Sequence, residues 1–492
     1  MFMNSIYKMK RILSTLLLTF VSLSIFAQSE QEENSAPAVE KTPYEKSVDV
    51  FKRGLRLDLN KEKTSYFKTI IGIQAWWRAG ETNPGTTNAL SGEPISNFSD
   101  FSMRRIRTMF YANIEDKYLL FAHIGATSNA TNSNINNNVY VHDFQGQIKI
   151  ADKNYIGAGI HFWQGLARLS RVGSNNYLTV DHPYFNYPEV NRTDAIVRQM
   201  GVFARGNVLG KLGYQVSVNQ PIISTVAGDP TVGGRPMSKG EMLDFAESGH
   251  AGATEGMTYL LKQTNYNYNG YLYWQFWDIE AQSVSGASQM NYFGQKRVFN
   301  IGAGFQYQPG GTGTYREDVN GDMYIQENDI KKLAVDVFLS TPLGNSGGGF
   351  TGYAVYYNYQ YGNDYLRTLH VMGGFAGTDP NVPSSPQGPG FSQYSHGTGH
   401  IFHTELGYTL PKTIYNSEKK LQPYVAISYK NLEGLDETSF QSDCGVNWAI
   451  IGQNVKMTAA YQLRPVYMIN DLGKNVVDHH AGLFVAQLQL RI

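Results

Sequence analysis

Residues 454–464 have the sequence NVKMTAAYQLR, in which apolar and polar side chains alternate. Successive side chains of a β-strand point to opposite faces, so Val455, Met457 and Leu463 share one face while Lys456 and Arg464 share the other. A helix would instead repeat its apolar positions every three or four residues. This stretch therefore predicts a β-strand with one apolar and one polar face.

The same alternation recurs from residue 65 to the end of the chain. In the first segment Phe67, Ile71 and Trp77 oppose Lys68 and Arg78. The pattern predicts sixteen strands, or between 14 and 18, near 65–78, 101–115, 117–127, 139–150, 154–163, 196–206, 211–219, 266–277, 297–307, 330–339, 352–360, 400–410, 421–430, 443–451, 454–464 and 481–492.

The connections between these strands alternate in length. Short links lie near 116–117, 152–153, 207–210 and 452–453, and long ones span 80–100, 164–195, 220–265, 308–329 and 361–399. Outer-membrane barrels alternate short periplasmic turns with long external loops, whereas a soluble β-sandwich has no reason to do so. The sequence thus predicts an all-β chain, a transmembrane antiparallel β-barrel over 65–492, in the outer membrane of a Gram-negative bacterium. The 278–296 link is too long for the scheme.

The N-terminal segment predicts export. Lys8, Lys10 and Arg11 precede an apolar run, 12–26, that ends at Ala27. This is the pattern of a secretory signal peptide over 1–27; the alternative, an anchor helix, requires a longer apolar run. Residues 28–64 begin with a Glu-, Ser-, Ala- and Pro-rich stretch, which predicts a flexible periplasmic tail.

Composition excludes several other classes of protein. Cys444 is the only cysteine, so the chain has no internal disulfide and no cysteine-based metal site. The formal net charge is zero, and removing three basic residues with the signal leaves about −3, which argues against a nucleic-acid partner. No apolar stretch of about 18 residues follows the signal, which excludes spanning helices.

Several short stretches resemble the porin group related to the phosphate-selective porin O and P family of Gram-negative outer membranes. They occur in the same order along most of the mature chain. The resemblance implies a sixteen-stranded barrel that passes small solutes. The stretches are Phe101-Ser-Met-Arg-Arg-Ile-Arg, Arg198-Gln-Met-Gly-Val-Phe, Val298-Phe-Asn-Ile-Gly-Ala-Gly-Phe, Val335-Asp-Val-Phe, Gly397-Thr-Gly and Leu421-Gln-Pro-Tyr.

The polar faces of the strands predict the wall of an aqueous pore. They carry eleven basic against three acidic residues, which favours a modest anion preference. The alternative is that Lys and Arg near strand ends extend to the membrane interfaces. The predicted inward residues are Lys68, Arg78, Arg105, Arg107, Arg205, Lys211, Lys332, Lys430, Lys456, Arg464 and Arg491, with Glu115, Asp336 and Glu405; His403 shares the face of Glu405.

One external loop has oxygen ligands at the spacing of a calcium site. Asp318, Asn320, Asp322 and Asp329 fall at positions 1, 3, 5 and 12 of such a loop. Position 6 departs from the pattern because it is Met323 rather than Gly. The alternatives are a structural Ca2+ and a solvated turn; no other cofactor is expected.

Two residue pairs that contain carboxylates are candidates for chemistry. His403 and Glu405 could act as acid and base or as metal ligands, but a pore wall contains such pairs without catalysis. Asp278 and Glu280 are interpreted as solvated carboxylates in the long link. The sequence therefore predicts no enzymatic activity.

The functional prediction is passive diffusion of small hydrophilic solutes, with a modest preference for anions, through a barrel surrounded by outer-membrane lipid. Loop 164–195 or loop 220–265 is expected to fold inward as a constriction. The alternative is a docking barrel whose long loops receive a lipoprotein or a secretion partner. Porins of this kind often form homotrimers, which the sequence does not test.

Overall fold

The structure is a computed structural model. Among the residues it describes, no helix is both long and apolar enough to cross a membrane. The described residues are 55–88, 91–128, 139–162, 165–190, 194, 197–221, 231–232, 235–236, 257–259, 265–281, 286–317, 319, 323–369, 375–379, 381–415 and 419–492.

Sixteen strands form one closed antiparallel barrel, as predicted. Each strand pairs with its neighbours in sequence, and the last pairs with the first from Gly72↔Arg491 to Gly80↔Leu483. The strands are β1 Tyr66–Glu81, β2 Asn97–Ile114, β3 Tyr118–Ser128, β4 Val139–Ala151, β5 Asn154–His161, β6 Gln199–Val208, β7 Leu212–Gln220, β8 Asn267–Gln275, β9 Val298–Glu317, β10 Met323–Leu343, β11 Gly348–Gln360, β12 Gly399–Thr409, β13 Lys420–Leu432, β14 Ser439–Ile451, β15 Val455–Ile469 and β16 Asn475–Arg491.

The apolar face of the strands points outward. On β10, Leu333 and Val335 are 59% and 53% exposed, whereas Lys332 and Asp336 are 1% and 2% exposed. Closing a sheet leaves no free edge, so every backbone group of a spanning strand has a partner. The barrel therefore presents an apolar exterior around a polar interior.

The connections lie at two distinct ends of the barrel. We call them the short-turn end, where β2 meets β3, and the long-loop end, where residues 162–198 join β5 to β6. The remaining elements are short: strands Leu55–Asp58, Thr86–Asn88, Thr231–Val232, Arg235–Pro236, Met257–Tyr259, Leu366–Leu369, Phe375–Thr378 and Gln393–Gly397, 3-10 helices Leu169–Arg171 and Tyr184–Asn186, and helix Lys412–Tyr415.

Two predicted boundaries need correction. The predicted loop 308–329 is largely strand, because β9 and β10 continue their pairing to Glu317↔Met323 across a bulge at Gln308/Thr312. Proline and glycine at 309–311 suggest a loop, but a bulge accommodates them. Within the predicted tail 28–64, Leu55–Asp58 is a strand that pairs with the start of β1. The signal peptide lies outside the described residues and stays a prediction.

Two further bulges change which side chains face inward. The register of β2 against β3 shifts between Met103 and Ile106, and the register of β3 against β4 shifts at His123. A bulge inserts one extra residue, so two consecutive side chains share a face. Before each bulge the inward residues have even numbers, and after it they have odd numbers.

Candidate functional site: the barrel lumen

The strand geometry puts most of the predicted pore-lining residues on the inner face. Lys68 is partly buried there, but Glu115 and Lys211 are not on the wall: both are exposed in turns at the short-turn end. The alternation pattern predicted strands that run past their actual ends, so it placed Glu115 and Lys211 on the wall by mistake. Eleven of the predicted residues are less than a tenth exposed: Arg78, Arg105, Arg107, Arg205, Lys332, Asp336, His403, Glu405, Lys430, Lys456 and Arg464. Arg491 is partly buried.

Loop 162–198 enters the lumen from the long-loop end, as predicted for one of two loops. Asn447 Nδ2 on β14 donates to the carbonyl of Leu178 at 2.7 Å. Lys456 Nζ on β15 donates to the carbonyl of Tyr177 at 3.1 Å. The loop thus uses polar wall side chains as its hydrogen-bond donors. Most of the other candidate, 220–265, lies outside the described residues.

Asp181 fixes the middle of this loop to the wall. Arg104 Nε and Arg105 Nη2 lie 2.7 Å and 2.6 Å from its two carboxylate oxygens. Burial alone would raise the pKa of Asp181, but the two guanidinium groups outweigh that effect and hold the pKa well below its ordinary value. Two consecutive arginines reach one carboxylate because the β2 bulge turns both inward. Strict alternation therefore misses Arg104.

The 276–297 link enters from the opposite end and meets the loop. Arg168 of the loop forms a bidentate ion pair with Glu280, with Nη1–Oε2 and Nη2–Oε1 distances of 2.8 Å and 2.5 Å. Asn300 Nδ2 donates to the same carboxylate at 2.6 Å. Burial raises the pKa of Glu280, but Arg168 reverses that effect and the pKa is lowered from 4.5. Glu280 is thus a largely buried ion-pair partner, not a solvated carboxylate, whereas Asp278 is exposed as predicted.

Apolar side chains fill the lumen where the loop and link meet the wall. At Gly304 on β9, the loop comes so close that an added Cβ would lie 2.3 Å from the carbonyl oxygen of Leu166. Only glycine permits that approach. This region of the lumen is therefore packed like a protein core rather than open. Its buried residues include Leu166, Leu169, Val172, Phe185, Met290, Phe338, Tyr353, Tyr357 and Tyr359.

Carboxylates that the wall prediction left out neutralise much of the basic interior. Asp181, Glu189 and Glu280 come from the loop and link, and Asp100 and Asp143 come from strand positions shifted by the bulges. The predicted excess of eleven bases over three acids is therefore smaller in the folded chain. The ion pairs are Arg78–Asp100, Arg104–Asp181, Arg105–Asp181, Arg198–Asp143, Arg168–Glu280 and Lys332–Glu189.

His403 and Glu405 contact each other on the inner face of β12. His403 Nε2 lies 3.1 Å from Glu405 Oε1, and its Nδ1 lies 2.9 Å from Ser428 Oγ. The ring also packs against Phe185 of the loop, with 5.4 Å between centroids. The pair therefore supports the seated loop, and all three polar residues are buried.

Asp329, one of the predicted calcium ligands, lies far along β10 from the start of that strand. Asp329 lies in β10, where its carboxylate accepts the backbone N–H of Gly310 at 3.0 Å and contacts Lys331 at 3.2 Å. Strand residues advance about 3.3 Å each, so Asp329 lies roughly 20 Å along β10 from Met323. It cannot complete a twelve-residue calcium loop. Asp318, Asn320 and Asp322 lie outside the described residues.

A different arc of the wall is mainly polar, with Phe203, Tyr271 and Tyr273 as its buried aromatic residues. The inner face of β4–β9 contains side-chain atoms with no hydrogen-bond partner among the residues described here, including Gln215 Oε1, Asn267 Oδ1 and Asn269 Oδ1. Buried amide groups are normally paired with protein or with ordered water. We call this face the polar arc. Gln215, Asn267 and Asn269 are 1–3% exposed, so ordered water is the partner that suits these atoms.

Comparisons with known proteins give similar barrels but no close relative. No known family's sequence profile and no curated protein sequence matches the chain, so the resemblance of the short motifs stays a prediction. Among solved structures the chain is similar to the outer membrane channel DcaP of Acinetobacter baumannii, at 11% identity over 88% of this chain and 99% of that one, with a TM-score of 0.43. OprB of Pseudomonas putida is 10% identical over 87% and 94%, with a TM-score of 0.47. An anion-selective porin from Comamonas acidovorans is 7% identical over 87% and 100%, with a TM-score of 0.46.

Proposed function

We propose that this chain is a passive diffusion channel for small hydrophilic solutes in the outer membrane of a Gram-negative bacterium. The observation that carries the proposal is the closed sixteen-stranded barrel with an apolar exterior and a polar interior. Such a surface is stable only in lipid, and its interior suits a hydrated solute. The proposed solute route runs along the polar arc, which the loop and link also contact at Gly304 and Asn300 of β9 and at Gln215 of β7.

The charges along the route favour a modest preference for anions. Arg198 and Arg205 face the arc, Arg107 lies at its edge, and one described carboxylate, Asp143, accompanies them on the inner face of β4–β9. Among the described residues, this face therefore carries three guanidinium groups and one carboxylate.

Planar bilayer recording tests both parts of this proposal. The purified full-length mature protein should give discrete conductance steps, and a KCl gradient should give a reversal potential displaced toward the chloride equilibrium potential. A potential displaced toward that of potassium would contradict the anion preference. The absence of any conductance would contradict the channel.

A docking barrel is the second candidate, and the packed lumen favours it. The loop and link meet through Arg168 and Glu280, so they fill part of the lumen without any partner. In that case the long loops receive a lipoprotein or secretion partner and the barrel never conducts. Bilayer recording therefore separates the two functions.

Two smaller proposals rest on the sequence alone. A calcium ion bound by Asp318, Asn320 and Asp322 would raise the thermal stability of the wild-type protein but not of a D318N variant. A homotrimer would give three times the mass of one chain by light scattering in detergent.

A further inference from the structure

Two histidines and an aspartate meet on the inner face of β3 and β4. His123 lies directly opposite Asp143, and His142 is the extra residue of the β4 bulge, so it faces inward beside Asp143. One ligand atom from each of the three residues lies within 4.8 Å of the others. All three side chains are buried, with exposed fractions of 8%, 5% and 2%.

One of the four imidazole nitrogens of this cluster, His123 Nδ1, lies 2.9 Å from Asp143 Oδ2, and the other three lack a partner in the described part of the chain. Both ring nitrogens of His142 and the Nε2 atom of His123 have no hydrogen-bond partner among the described residues. The two rings stack at 4.8 Å between centroids, so their nitrogens lie close together. A buried imidazole that leaves both nitrogens unpaired is unfavourable unless a ligand supplies the missing bond.

We propose that His123, His142 and Asp143 bind a divalent transition-metal ion of the zinc class in the lumen. Two imidazole nitrogens and one carboxylate oxygen form a three-ligand set that leaves a fourth position for water or a solute. Zinc–nitrogen bonds of about 2.0–2.1 Å require ligand atoms roughly 3.3 Å apart, so the side chains must close inward slightly. Nitrogen ligands disfavour Mg2+ and Ca2+, which prefer oxygen.

The surrounding arginines orient the site and moderate its affinity. Arg198 donates to both oxygens of Asp143, at 3.2 Å and 3.0 Å. Hydrogen bonds of this kind from outside a metal site hold a ligating carboxylate in a fixed orientation. Arg107 donates to the carbonyl groups of Ile106 and Ala126 and lies over the ring of Tyr140. Both guanidinium groups repel a dication, so we expect micromolar rather than nanomolar binding.

Zinc titration of the untagged mature protein in detergent, followed by calorimetry, tests this inference. The wild type should bind one Zn2+ per chain, and excess Mg2+ should not compete. Replacing His142→Ala or His123→Ala should weaken binding at least tenfold. His479→Ala is the matched control, because the side chain of this histidine on β16 is 40% exposed, and its variant should bind as the wild type does.

A second variant and a second readout keep the outcome interpretable. His142→Gln retains a polar side chain of similar size and should also lose binding, while circular dichroism and the heat-dependent gel shift verify that the barrel is folded. X-ray absorption of the zinc-loaded wild type should reveal two imidazole ligands. Equal zinc affinity in the wild type and in folded His142→Ala would overturn the inference, as would no binding by the wild type. The zinc-binding assay does not depend on conductance, so its result tests the metal site separately from the proposed channel.

Discussion

Replacing Glu280→Gln tests whether the 276–297 link holds loop 162–198 in the lumen. The Arg168 and Glu280 side chains are 3% and 12% exposed, so removing one charge leaves the other buried without its partner. Breaking a buried ion pair in this way costs about 3–5 kcal/mol. A loss of about 3 kcal/mol shifts the balance between seated and released loop roughly 100-fold toward release.

Single-channel recording provides the assay for this prediction. Openings to a larger conductance should become roughly 100-fold more frequent in E280Q, in line with the shift in the loop equilibrium. Asp278→Asn is the matched control, because it removes an exposed carboxylate two residues away in the same link. Equal opening frequency and equal thermal stability in E280Q and D278N would refute the role of the ion pair.

Three further predictions follow from the same contacts. Acidification should make the larger openings more frequent only below pH 4.5, the ordinary pKa of glutamate, because the pKa of Glu280 is lowered and its ion pair is lost as the pH falls through the lowered pKa. Loss of the difference between wild type and E280Q at a higher pH in bilayer recordings would contradict this. Asp181→Asn should free Arg104 and Arg105 and move the reversal potential further toward that of chloride, whereas an unchanged potential would exclude them from the route. Gly304→Ala should destabilise the seated loop by ~1–3 kcal/mol, since the new methyl group meets the Leu166 carbonyl, and proteolysis of the loop should become faster than in the wild type.

The strands were predictable because each one separates lipid from the lumen. That environment imposes a period of two on residues such as Val455 and Lys456, and the period is visible in a single sequence. All sixteen strands were found by it. Chain closure followed, since a spanning sheet cannot leave an open edge.

The interior was predictable only in part, because the alternation rule fails at bulges. Arg104 beside Arg105, and His142 beside Asp143, both face inward, although alternation assigns one of each pair to the lipid. Two adjacent polar residues in the middle of an apolar strand are the signal that could have located these bulges. A single sequence does not indicate that Glu280, far from Arg168 along the chain, is its partner.

The most direct test of the account is to map the solute route with single cysteines in a Cys444→Ser background. Asn269→Cys lies on the polar arc, and Thr458→Cys lies on the inner face of β15, near the seated loop. An anionic thiol reagent should lower the conductance of the Asn269→Cys channel and leave the Thr458→Cys channel unchanged. Block at Thr458→Cys with none at Asn269→Cys would place the route on the other side of the lumen and contradict the account.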